Sequence, residues 1–338
     1  MAKIENSIKS PHYFNTLEVT SDYFKDKSHE KQYYKAFRKH KTLSKLTSII
    51  DTIKDGRIKK RYWQTYHCNN IILQENNTFS GSLCRKRWCA ECCRIKTAEL
   101  TNGYKKPLLD IAQNNGLYFV TLTRPNVKGR ELKSEIKKMI KGFQNIKDNL
   151  RKNYKIKLNG IRKIEVTYNE IENTYHPHFH FIQSDYKSAH ALQSLWLKQF
   201  SNANIKGQDI REIDTTNENS FIELFKYATK ETTKEGKQYS GEVLHTIYSS
   251  IEGLRIYQTY GSIKKIKAPK EIEIEINNLP FIEANFEIWK YDNKLIDWTL
   301  SNGTQMIETL KIKDELSLKQ RIKSNKYQKL TPKIHRIN

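Results

Sequence analysis

HPHFHFI, residues 176–182, is the stretch whose reading decides the fold. A β-strand turns successive side chains to opposite faces. As a strand, this stretch sends His178 and His180 to one face, with His176 joining them at its start, and Phe179 and Phe181 to the other. The phenylalanines belong in a core. Imidazoles side by side on the opposite face are a natural start for a divalent metal site. The plainer alternative is a solvated histidine face on an edge strand.

Working outward, NEIENTY (169–175) reads as a hairpin connection, and GIRKIEVTY (160–168) alternates like a half-buried strand that pairs with 177–182. Ile164 and Val166 flank Glu165 on the other face, so Glu165 falls beside the histidines and is the candidate third ligand. Its plainer reading is an ordinary charged residue on a half-exposed strand. A His-His-carboxylate set with open positions suits Mg²⁺ or Mn²⁺ acting on a phosphate, and two nitrogens favour manganese.

LYFVTLT (117–123) is an apolar, β-branched run that reads as a buried strand, followed by a turn through RPN and VKGR. Leu132, Ile136, Met139, Ile140, Phe143 and Ile146 recur at helical spacing over 131–150. Ala191, Leu192, Leu195 and Trp196 mark a second helix over 188–200, DIREID (209–214) a short strand, and SFIELFKYATK (220–230) a third helix. The first six elements, β-α-β-β-α-β, predict an α+β fold with a ferredoxin-like antiparallel sheet, an order that serves many functions.

On the third helix Phe221, Leu224, Phe225 and Ala228 gather on one side, and Glu223, Lys226, Tyr227 and Lys230 on the other. Glu223 and Tyr227 are neighbours at i, i+4 spacing. A phenol with a free pKa near 10 needs a cation or metal beside it to act as a nucleophile, and Lys226 and Lys230 supply charge. Lys230 could also hold a phosphate oxygen, and Glu223 could take a proton from an attacking water. In a chain with 19 tyrosines, the plainer reading of Tyr227 is an aromatic at a helix–sheet boundary.

The 338 residues carry 60 Lys plus Arg against 37 Asp plus Glu, a formal charge of +23, which attracts polyanions and above all nucleic acid. No apolar run is long enough to span a membrane, and MAKIENSIKS at the N-terminus lacks the apolar core of a signal peptide. The expected location is the cytoplasm. Four of the five cysteines lie between positions 84 and 93, which points to metal binding in a reducing compartment rather than to a disulfide scaffold. Cys68, Cys84, Cys89 and Cys92 can form a structural zinc tetrahedron. The alternative is a redox pair or free thiols, with Cys93 as an extra and His67 as a substitute ligand. Arg85, Lys86, Arg87, Arg94, Trp63 and Trp88 around the cluster suit a DNA-holding module. Four segments follow: a basic helical extension (1–60), a cysteine-rich zinc module (61–100), a catalytic domain (101–266) and a basic C-terminal extension (267–338).

Together these stretches resemble the rolling-circle replication initiators of small bacterial plasmids, in the His-hydrophobic-His endonuclease superfamily. FVTLTRPN (119–126) is similar to the family's first motif, HPHFHFI to the metal motif, and ELFKYATK (223–230) to the motif with the nucleophilic tyrosine and following lysine. EVTYN (165–169) resembles the segment that supplies the acidic ligand, and LRIYQTYGSIKK (254–265) a stretch after the catalytic domain. The resemblance covers about residues 65–266. It implies site-specific nicking and joining of single-stranded or hairpin DNA at a plasmid origin through a 5′-phosphotyrosine on Tyr227. It further implies termination by water that Glu223 activates, and a host helicase and polymerase as partners. A single tyrosine in the third motif disfavours the two-tyrosine phage initiators. The family's cysteine group usually closes as C-P-x-C, whereas Ala90 here takes the proline's place. A transposase or mobilisation relaxase shares the chemistry. A catalytically inactive DNA-binding regulator is the remaining alternative, against which the intact set Glu165, His178, His180 and Tyr227 speaks.

Overall fold

Central strands need both faces covered, and the alternation of Phe179 and Phe181 with His178 and His180 produces such a strand. The computed structural model describes residues 27–75, 78–216, 224–225, 231–233, 236–266, 287–292, 294–295 and 297–307. Within them the helices are α1 (Lys27–Thr52), α2 (Gly56–Trp63), α3 (Ala90–Asn115), α4 (Gly129–Asn153), α5 (Tyr186–Gln199) and α6 (Gly241–Ser250). The strands are β1 (Ile71–Glu75), β2 (Thr78–Gly81), β3 (Tyr118–Thr123), β4 (Gly160–Asn169), β5 (Thr174–Gln183), β6 (Asp209–Glu212), β7 (Tyr257–Tyr260), β8 (Glu287–Asp292) and β9 (Asp297–Thr299).

The fold is a mixed one with two antiparallel sheets. In the five-stranded sheet the order is β6-β3-β5-β4-β7, with every neighbouring pair antiparallel. One face carries Val120, Leu122, Ile164, Val166, Phe179 and Phe181, which pack with the apolar stripes of α4 (Leu132, Ile136, Met139, Phe143) and α5 (Ala189, Leu192, Trp196). Phe119, Ile161 and Ile182 lie on the opposite, histidine-bearing face, in a second core with Leu100 and Leu108 of α3 and with Leu224 and Phe225. The core face expected for the third helix is thus occupied at the two of its positions that are described. Glu223, Tyr227 and Lys230 lie outside the described residues.

Helix α1 runs unbroken from Lys27 to Thr52, with no Pro or Gly in it to end it early. Leu43, Leu46, Ile49 and Ile50 of α1 enter the main core. The second sheet, β2-β1-β8-β9, joins the hairpin between Cys68 and Cys84 to residues more than two hundred positions later. Among the described residues no helix is long and apolar enough to cross a membrane.

Trp196 locks α5 to the site end of the sheet. Its ring is fully buried and its indole N–H donates to the Thr123 carbonyl at 3.0 Å. The Thr123 amide in turn donates to Gln208 Oε1 at 2.8 Å. Trp196→Ala should lower unfolding stability by about 3–5 kcal/mol, the usual cost of emptying such a site. Urea unfolding followed by circular dichroism checks this; a loss below about 1 kcal/mol would show that the tryptophan does not carry this contact.

Candidate metal centres

Pairing of β5 with both neighbours sets the site. Glu165 and Thr123 stand opposite His178, and Lys163 and Thr121 stand opposite His180. Strand alternation then places all these side chains on one face. Glu165 Oε1 lies 3.9 Å from His178 Nε2, and Glu165 Oε2 lies 3.5 Å from His180 Nε2. One donor atom from each of the three residues falls within 4.8 Å of the others, so Glu165, His178 and His180 form a set able to hold a metal ion.

The other ring nitrogens are engaged. His178 Nδ1 donates to the His176 carbonyl at 3.2 Å, and His180 Nδ1 pairs with Thr121 Oγ1 at 3.1 Å. A proton fixed on His178 Nδ1 leaves its Nε2 lone pair free for an ion, the usual orienting role of a ligand's outer partner. Burial pushes His178 down to about 3, opposed by Glu165 and assisted by His180 and His176, so the imidazole is neutral. Burial of Glu165 works against its ionisation, but the hydrogen bond from His180 and the charge of Lys163 overcome it and hold the carboxyl well below the usual carboxylate range. A neutral His178 beside an ionised Glu165 is the protonation pairing that a divalent ion requires. His176 stacks on His178 with ring centroids 5.2 Å apart but is not one of the three converging donors. Tyr239 is buried, and its hydroxyl donates to the Tyr168 carbonyl at 3.3 Å.

Lys163 is the residue that sequence reasoning missed. It is only 1% exposed, and its ammonium donates to Glu165 Oε2 at 2.7 Å. Its position two residues before Glu165 put it on the histidine face all along. What hid it is that a lysine in an alternating strand reads as a solvated residue until β7 closes that side of β4.

The four cysteines form a second centre. Sγ of Cys68 lies 3.6 Å from those of Cys89 and Cys92, and Cys84 lies 3.7 Å from Cys92. A zinc tetrahedron with bonds near 2.3 Å has edges of about 3.8 Å, whereas a disulfide would bring sulfurs to about 2.05 Å. The spacing fits four thiolates around one ion. Arg85 adopts a left-handed φ of 53°, and its amide donates to Cys92 Sγ at 3.3 Å. Lys39 of α1 lies beside the cluster, donating to the carbonyls of Cys68 at 2.6 Å and Tyr66 at 3.0 Å. Burial pushes Lys39 down to about 8 against the pull of Cys68, Cys89 and Cys84. Cys93 stands apart, its thiol on the Arg87 carbonyl at 3.0 Å, and His67 is not part of the converging set.

With this geometry in view, comparison with known proteins is informative. Residues 75–303 match the family model described as "Replication protein". A protein from Staphylococcus aureus named "Protein rep" is 27% identical over 184 residues, covering 49% of this chain and 80% of that protein. A "Protein rep" from Bacillus amyloliquefaciens is 26% identical over 231 residues, covering 59% of this chain and 66% of that protein. No solved structure matches the chain.

The ammonium of Lys163 balances Glu165 and competes with a metal ion for it. Lys163→Met should therefore tighten Mn²⁺ binding by at least about tenfold, since each 1.4 kcal/mol of lost repulsion is a factor of ten. Isothermal titration against the parent protein measures this. Unchanged or weaker Mn²⁺ affinity in a folded variant would show that the lysine does not oppose the ion.

Proposed function

This chain belongs to the replication-protein family, the rolling-circle initiators of the His-hydrophobic-His type, and from that premise we propose that it nicks and rejoins single-stranded DNA at a plasmid replication origin. The observation that carries the reading is the convergence of Glu165, His178 and His180 on the sheet face that also receives Leu224 and Phe225. Phe119 links the two: its ring lies 5.1 Å from that of His180, and it shares a buried cluster with Phe225. Tyr227 follows Phe225 by two residues in the sequence.

His178, His180 and Glu165 would hold Mn²⁺ or Mg²⁺, and Cys68, Cys84, Cys89 and Cys92 a structural Zn²⁺. When bound, the catalytic ion supplies Lewis-acid polarisation of a phosphate oxygen. The Tyr227 oxygen attacks the phosphorus and the bond to the 3′-oxygen breaks. The products are a 5′-phosphotyrosine and a 3′-hydroxyl, the phenolic proton passing on balance to the departing oxygen. Because the phosphodiester bond is exchanged rather than hydrolysed, the 3′-hydroxyl can reverse the step. Lys230 balances charge on the phosphate, and Glu223 takes the proton of the water that ends the cycle. A host polymerase would extend the 3′-hydroxyl while a host helicase opens the duplex, in the cytoplasm.

We assign the catalytic unit to residues 101–266 and read its β3-α4-β4-β5-α5-β6 portion as ferredoxin-like, which the order β6-β3-β5-β4 supports. The zinc module at 61–100 joins it through α3, which runs across both. Residues 1–60 and 267–338 are the flanking extensions.

The test uses the full-length chain, Mn²⁺ and labelled stem–loop DNA with a randomised loop, read on denaturing gels. Sequencing the captured adducts names the cleaved site. Tyr227→Phe should bind the recovered sequence as the parent does but form no adduct; an adduct at parental yield would place the nucleophile elsewhere. Glu223→Ala should still form the adduct and lose the water-dependent release by ~10²–10⁴-fold, the range for a general base. Chelation of the catalytic ion should abolish the adduct, and full yield in metal-free buffer would defeat the metal assignment.

A further inference from the structure

Lys45 of α1 is a buried cation, only 1% exposed, in a segment to which the nicking reaction assigns no role. Its ammonium pairs with Glu231 Oε1 at 2.6 Å, across 186 positions of sequence. The hydroxyl of Tyr248, on α6, donates to the same carboxylate oxygen, and its ring lies 5.6 Å from the Lys45 ammonium. Burying such a pair costs desolvation, and apolar residues of similar volume would hold α1 to α6 as well or better. What charge adds is direction: a carboxylate satisfied by one ammonium and one hydroxyl has one place to be.

Glu231 is fixed by its main chain as well. Its carbonyl accepts the Tyr239 amide at 2.9 Å, and Thr232 bridges to Gln238. Upstream, Phe225 is equally constrained. Its carbonyl accepts from Thr97 Oγ1 of α3 at 2.8 Å and from the Tyr257 hydroxyl of β7 at 3.1 Å. Its ring stacks on Tyr104, with centroids 5.7 Å apart and planes 12° from parallel. Tyr227 and Lys230 lie between these two anchors in the sequence, and the anchors are held by four different elements.

We propose that the Lys45–Glu231–Tyr248 cluster is the downstream clamp of the tyrosine segment, so that Lys45, Glu231 and Tyr248 are positioning residues for DNA nicking. This rests on the reading of Tyr227 as nucleophile. A phenol attacking phosphorus in line must be placed to a fraction of an ångström, and a shift of about 1 Å from a remote change can cost ~10²-fold in rate. The clamp gives α1 a part in the chemistry without contact with DNA or metal.

Single-turnover adduct formation on the captured loop sequence tests the clamp, together with hydrogen exchange of the peptide spanning 226–230. Lys45→Met should slow adduct formation by ~10²-fold while leaving affinity for the oligonucleotide within about twofold, and Lys45→Arg should recover most of the rate. Tyr248→Phe removes one hydroxyl from an otherwise intact core and should slow the adduct by about tenfold while lowering Tm by only a few degrees. In Lys45→Met, exchange should accelerate in 226–230 and stay as in the parent in α4 and β5. The proposal is overturned if Lys45→Met and Tyr248→Phe nick at the parental rate, if Lys45→Arg is no better than Lys45→Met, or if exchange rises uniformly along the chain. Should the parent protein form no adduct, the nucleophile assignment fails by itself. Exchange in 226–230 then decides the clamp alone: local acceleration supports it and no change overturns it.

Discussion

A strand at the centre of a sheet has no face to give to water, and β5 obeys that constraint while carrying histidines at every second position. Its phenylalanines meet α4 and α5 in an apolar core. Its histidine face needs polar partners at matching register, because a buried polar group without one is costly. β4 supplies Glu165 and Lys163, and β3 supplies Thr121. A slip of one residue in either pairing would turn imidazoles into the core and phenylalanines onto the site. The requirement that specifies the fold thus also assembles the ligand set.

The parts of this arrangement visible in the sequence are those with a short period. HPHFHFI, IRKIEVTY and the helical repeat of 131–150 each declare their faces locally, and from them the pairing of Glu165 with the histidines follows. Leu224 and Phe225 were legible in the same way and are both fully buried. What escaped is non-local. Residues 257–260 carry no strong strand pattern and become β7 because β4 offers them an edge. The pairing of β8 with β1 has no signature in either segment. Lys39, Lys45 and Lys163 look like surface lysines, and only partners far along the chain, or a neighbouring strand, explain their burial.

Those three lysines share a logic. Each brings one positive charge to a place where the fold concentrates electron-rich ligands or a carboxylate: Lys39 at the cysteines, Lys163 at Glu165, Lys45 at Glu231. Among the described residues most Lys and Arg side chains are at least partly exposed, where charge attracts polyanions. These three are structural counter-ions instead. Their removal would change local geometry far more than the long-range field.

The contrast between the two centres has a consequence for assembly. The carboxylate of Glu165 already has a full counter-charge in Lys163, so the five-stranded sheet can close around its ligands before any ion arrives. Lys39 alone does not offset the mutual repulsion of four clustered thiols once they are ionised, and a metal ion would relieve it. Metal uptake at the cysteines is thus coupled to folding of the region around the N-terminus of α3, whereas the face of Glu165, His178 and His180 is already balanced without an ion. Without an ion at the cysteines that region would stay loosely ordered, whereas without one at Glu165, His178 and His180 the sheet would stand complete.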